Sequence, residues 1–273
     1  MSLNTVKPID TTIREAGRSL LERSPTLEPF LVTARDRYAR TRVRLRTLAN
    51  SIRYAAPPEP YRLIQIDPSE VGRGVELGVS KYVEAGKVVG GEWEGEWFTF
   101  GESDVYQAYE AHFQDGVPWE ETAFYARIVG ELESGKVRWG CRTETEFQDR
   151  CDRLERLYER LQTEGYRSQA ELLADGGDNL IQFGRRSHLL TERLKDEIAI
   201  HIDRRGELIF SDGRNRLSMA KLIGLDSVTV RVLRRHADWQ AIRDAYVRGE
   251  PWTKAYADHP DIAYLEFGSK PAP

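Results

Sequence analysis

Residues Glu197–His236 read EIAIHIDRRGELIFSDGRNRLSMAKLIGLDSVTVRVLRRH, a succession of strand, tight turn, strand, glycine-bearing loop, helix and strand. Ile198–Ile202 sets isoleucine at every second position, the period of a strand, and Arg205-Gly206 supplies the turn that follows. Leu208–Phe210 is a second, short apolar strand. Asp212-Gly213 interrupts it. Arg216–Ile223 then has helical spacing, with Leu217, Ala220, Leu222 and Ile223 on or near one face. Gly224 ends that helix as a residue able to turn left-handed. Val228–Val232 is β-branched and runs as a strand into Arg234-Arg235-His236. If the Phe210 and Val228 strands are parallel, a right-handed crossover joins them.

The loop Asp212-Gly213-Arg214-Asn215-Arg216 thus lies between a strand and the start of a helix. Free backbone N–H groups and the positive end of the helix dipole converge there. Two arginines in the first turn oppose that dipole, a placement that makes sense when an anion occupies the site. Gly213 permits close backbone approach, and Arg216 is placed to pair with phosphate. The same residues also read as an ordinary capped turn, with Asp212 as N-cap and the arginines solvated.

Over about residues 190–240 this segment resembles the ParB/sulfiredoxin superfamily, and most closely its DGxHR-type branch. Members of that superfamily bind nucleotide phosphates on a strand–loop–helix with a Gly-x-His-Arg-like motif. The resemblance implies a nucleotide cofactor (ATP, ADP or CTP) with Mg2+, held by Asp212, Gly213, Arg214, Asn215, Arg216 and Arg235. Arg214 stands at the sulfiredoxin cysteine position, which argues against sulfinic-acid reductase chemistry. Asn215 stands where histidine is usual; its amide can donate to phosphate but cannot shuttle a proton. Catalysis would therefore fall to Glu197, as a carboxylate base just before its strand, and to His236, at a strand end that the resemblance turns towards the same cleft. The implied function is phosphate binding at Asp212–Arg216, with phosphoryl transfer to a small hydroxyl compound. A non-catalytic nucleotide-binding regulator is the alternative that Asn215 favours. A ParB-related DNA-binding or nuclease-like protein is a third, against which residues 237–273 are too short and too rich in Pro, Trp and Tyr for a following helix-turn-helix.

The chain has 273 residues, 40% of them hydrophobic, enough for one large domain or two small ones. Forty basic residues against 44 acidic ones give a formal net charge of −4, which does not suggest a globally basic nucleic-acid binder. Cys141 and Cys151 read as reduced thiols. No apolar run approaches the ~18–20 residues of a membrane span, and MSLNTVKPIDTT lacks a signal-peptide core, so a soluble, cytoplasmic protein is expected. The five histidines form no cluster of metal-ligand spacing, and no metal site is predicted.

The expected organisation is α/β (α+β) in three parts. Residues 1–56 form a helical, arginine-rich arm, with helices over 9–23 and about 26–54. In the second helix Phe30, Leu31, Ala34, Tyr38, Leu45, Leu48 and Ile52 are spaced for packing. Its arginines are of the kind that bind nucleic acid or an anionic membrane, but internal charge pairing or pairing with a partner chain is the default reading. Ala56-Pro57-Pro58-Glu59-Pro60 is a stiff linker to a mixed middle region, 57–175. There Tyr61–Ile66 is a strand, 103–113 and 118–132 are helices, and Thr143–Glu146 and Ser168–Glu171 are capping boxes, the first opening an amphipathic helix. The loop Gly91–Trp97, GEWEGEW, reads as a hairpin with Trp in and Glu out, or as a platform for a sugar, an ammonium or a nucleobase. Residues 176–273 form the ParB/sulfiredoxin-like sheet with flanking helices. A small-molecule substrate or nucleotide is the expected partner.

Overall fold

A computed structural model describes residues 28–77, 83–175 and 196–268. The helix expected over 9–23, most of the turn at 175–178 and the end of the expected tail lie outside them.

The architecture is α/β. Among the described residues one mixed seven-stranded sheet has the order β1-β7-β5-β6-β2-β4, with β3 also paired to β7. The strands are β1 (Leu63–Ile66), β2 (Arg73–Gly74), β3 (Lys87–Val89), β4 (Phe98–Thr99), β5 (Ile198–Ile202), β6 (Leu208–Asp212) and β7 (Val228–His236). The sheet thus crosses the boundary expected near residue 175, since β1–β4 join the strands of the C-terminal part. Its centre is the opening segment: β5 runs antiparallel to β6 and parallel to β7. The strands ending at Phe210 and starting at Val228 are therefore antiparallel to one another with β5 between them, and no crossover of parallel neighbours joins them.

β7 spans nine residues where the sequence suggested five, and all nine are buried. It holds β1 along its first half and β3 along its second, opposite β5. Its register against β5 shifts between Ile200 and His201, where Leu233 is the extra residue. Such a bulge reverses the alternation. Val228, Val230 and Val232 face the main core with Ile198, Ile200 and Ile202. Leu233 turns to the other face, beside Ala199. Beyond the bulge, Arg235 returns to the first face and Arg234 to the second.

Helix α6 (Arg214–Ile223) carries the packing on the first face. Leu217 and Ala220 lie on the sheet, while Met219 enters a helical cluster on its far side. That cluster joins α2 (Asp104–Phe113), α3 (Ala123–Glu133) and α4 (Glu144–Glu164) through Tyr109, Phe124, Ile128, Phe147, Leu154 and Leu161. Thr143 caps α4 by accepting from the Glu146 amide. At the short α5 (Gln169–Ala174) the capping box is reciprocal: the Ser168 amide donates to Glu171, and the Glu171 amide donates to Ser168 Oγ. Helix α7 (Ala237–Val247) closes the main core with Trp239, Tyr246 and Val247.

Helix α1 (Glu28–Arg53) covers the second face. Val43 packs on Ala199 and Leu233, Asn50 donates to Gly86 O at 2.8 Å, and Arg46 reaches Val83 O and Ala85 O. Of the residues expected to pack, Leu45, Leu48 and Ile52 do not: they are 61%, 62% and 82% exposed. The face turned to the sheet is instead that of Ala39, Val43 and Asn50.

Candidate functional site

β6 ends at Asp212, Gly213 is the N-cap of α6 with φ +90°, and Arg214 begins the helix. A Cβ on Gly213 would stand 2.9 Å from Ile198 Cα, so the turn requires glycine for both its φ and its space. Gly213 offers no side chain to cap the helix. The Leu217 amide donates to Gly213 O, while the first-turn amides of α6 have no intrahelical acceptor.

The two arginines of this turn diverge. Arg214 lies over the rings of Phe98 and Phe210, at 5.2 and 5.5 Å from their centroids, with Glu76 3.6 Å away. It borders an open cleft of about 870 Å³, lined also by Glu76, Glu96, Trp97, Phe98 and Glu102. Trp97 is 56% exposed there. Arg216 turns inward and donates to Tyr166 Oη at 3.3 Å and to Glu197 Oε2 at 3.4 Å. A pocket of about 30 Å³, the size of a water, lies beside it among Leu157, Leu161, Tyr166 and Gln169. Asn215 is half-buried on the first turn of α6.

Glu197 sits at the same end of the sheet, just before β5, and is buried. Its carboxylate accepts from Tyr166 Oη at 2.9 Å, from the Gln169 amide and from Arg216. Burial pushes this carboxyl above the usual carboxylate range, against the pull of Arg216 and these hydrogen bonds. Glu197 and Arg216 thus form one interior pair that anchors α6 and the start of α5 to the sheet.

Arg235 and His236 lie elsewhere. Ile198 pairs with Val230, whereas Ile202 pairs with Arg235, so these residues are at the opposite end of β5, about 13 Å away by strand rise. The cleft that the resemblance led us to expect around both segments is not formed. Arg235 makes a buried two-point ion pair with Asp261. His236 Nδ1 accepts from the Asp238 amide at 3.1 Å and its Nε2 donates to Gly91 O at 2.9 Å, which occupies both nitrogens.

The loop Gly91–Trp97 is not a hairpin, because β3 before it pairs with β7 and β4 after it pairs with β2 near the far edge. Trp93 turns in against His201 and His236, Glu94 is buried with Arg204, and Trp97 turns out to the cleft. Glu76, Phe98 and Glu102 were not foreseen near Arg214. They arrive through pairing of β4 with β2 and of β2 with β6, and strands two residues long leave no periodic signal.

Among the described residues no three or more of His, Cys, Asp and Glu gather as a metal-binding group, and no helix is long and apolar enough to cross a membrane. Comparison with protein-family models, curated proteins and solved structures finds no match to this chain.

Proposed function

We infer that this chain binds the phosphates of a nucleotide at the N-terminus of α6. The observation that carries this reading is the uncapped turn at Gly213, whose first helical side chain, Arg214, borders a cleft that also holds an exposed tryptophan. Amides of the first turn and the guanidinium suit phosphate oxygens, and the face of Trp97 suits a base. The likeness of residues 190–240 to the ParB/sulfiredoxin superfamily supports the same ligand. Magnesium keeps several waters and needs one or two carboxylates besides the phosphates, which Glu76, next to Arg214, can supply.

Binding without chemistry by Glu197 or His236 is the form of this function that the geometry favours. A carboxylate held by three donors and a histidine with both nitrogens engaged are poorly placed to move a proton. Phosphoryl transfer to a small hydroxyl compound stands as the second reading, because Glu96 and Glu102 line the same cleft and offer carboxylates for a general base.

Thermal unfolding with ATP, ADP and CTP, each with Mg2+, tests the reading. One nucleotide should raise Tm, by about 2.7 kcal/mol of stabilisation at a hundredfold excess over Kd, and Arg214→Ala should abolish the shift. No shift with any nucleotide, or a full shift in the variant, would overturn it. Turnover of the bound nucleotide across a panel of hydroxyl compounds would select the second reading.

A further inference from the structure

Among the described residues, helix α1 leaves a row of apolar side chains, Leu45, Leu48 and Ile52, exposed beyond a half-buried Tyr38. Tyr38, Thr41, Leu45, Leu48 and Ile52 follow one another at alternating spacings of three and four residues, the repeat of a coiled-coil interface. Leu45, Leu48 and Ile52 are 61%, 62% and 82% exposed. Thr41 Oγ1 donates back to Arg37 O, which leaves its methyl group for the seam. Val43 and Asn50, on the opposite side of the helix, are the residues held by the sheet and by Gly86. The helix is therefore fixed to the body along one edge and apolar along the other, so a partner would not have to order it.

The flanks say what the partner carries. Arg37, Arg42 and Arg44 are exposed in the positions that border the seam, and the helix has no carboxylate from Arg37 to Arg53. Among the described residues no acidic side chain pairs with these three arginines. A second copy of α1 would set arginine against arginine in either orientation, since neither flank contains an acid. A lipid surface would call for a wide apolar face, and this one is a single seam bordered closely by charge.

We propose that α1 docks an amphipathic helix of another protein along Thr41–Ile52, one whose own apolar seam is flanked by aspartates and glutamates. The occupied length is about two heptads.

The full chain can be tested by fluorescence anisotropy with two labelled synthetic helices of three heptads. Both have leucine along the seam, one has glutamate at the flanking positions and the other lysine. The glutamate helix should bind at least tenfold tighter than the lysine helix, and the preference should fade at high salt. Leu48→Asp should weaken it at least tenfold with an unchanged circular dichroism spectrum. The double variant Arg42→Glu, Arg44→Glu should invert the preference. Equal binding of the two helices, or binding indifferent to Leu48→Asp, would sink the proposal. So would a wild-type dimer in sedimentation that Leu48→Asp dissociates, or capture of the chain by phosphatidylserine vesicles when the glutamate helix does not bind.

Discussion

Asp261 is the counter-ion of two buried arginines. It accepts from Arg235 on both oxygens, from Trp239 Nε1 at 3.0 Å, and lies 3.1 Å from Arg243 Nε. Arg243 in turn donates to Ala56 O at 3.1 Å, which ties the linker after α1 to α7. Burial alone would raise the Asp261 carboxyl, but the Arg235 and Arg243 charges, helped by these hydrogen bonds, bring it down to about 2. Asp261→Asn keeps the shape and leaves two interior guanidiniums uncompensated, so it should cost about 3–5 kcal/mol. Urea unfolding measures this, and a loss below about 1 kcal/mol would show that the arginines find other compensation. The two histidines nearby share one device. His259 accepts from the Asp261 amide and donates to Gly206 O, as His236 does with Asp238 and Gly91. In both, the imidazole clips the amide two residues on to a carbonyl of a distant loop.

Elements whose signals are local were legible in the sequence. Thr143 and Ser168 announced the starts of α4 and α5, and Gly224, with φ +75°, the end of α6. Thr143→Ala should lower stability by about 1 kcal/mol through the lost cap, read as a shift in denaturant midpoint with an unchanged slope. An unchanged midpoint would mean that Glu146, which accepts from the Arg142 amide, holds the turn alone. Elements that depend on distant pairing were not legible. The tryptophan spacing in Gly91–Trp97 suggested a hairpin, yet its flanking strands serve different neighbours. The apolar residues of α1 suggested its buried face, yet the helix is held by hydrogen bonds from Arg46 and Asn50 to carbonyls in 83–86. At the candidate site, Gly213 and Arg214 could be read from the turn itself. The inward course of Arg216 could not, because Tyr166 lies fifty residues before it in sequence.

At the scale of the whole molecule, buried histidine sets an acid limit. His201 is fully buried, edge-on to Trp93 at 5.6 Å, and neither ring nitrogen has a partner among the described residues. Burial, with the nearby Arg234 charge, lowers its pKa to about 3. The unfolded chain takes up that proton near pH 6.5. Above that pH neither state holds it and the contribution is flat. Below it the unfolded state binds more protons, so stability falls as the pH drops from about 6.5 towards 3. His259, lowered by burial, adds to the same slope, whereas the contribution of Asp261 is lost only as the pH falls from 3.8 to about 2. Denaturant unfolding at pH 7 and pH 5 should show the wild type weaker at pH 5, with a smaller difference in His201→Gln. Equal differences in the two proteins would assign the slope to other groups.

The long central strand has a temporal consequence. Among the described residues, β1 and β3 bond to β7 alone, and β7 follows every other strand in the chain. On the ribosome, Leu63–Ile66 gains its partner only once Arg231 is made, and Lys87–Val89 only once His236 is made. The cluster of α2, α3 and α4 is assembled from neighbouring segments and can gather before that point. Among the described strands, β1 and β3 therefore join the sheet late, through the last strand to be made.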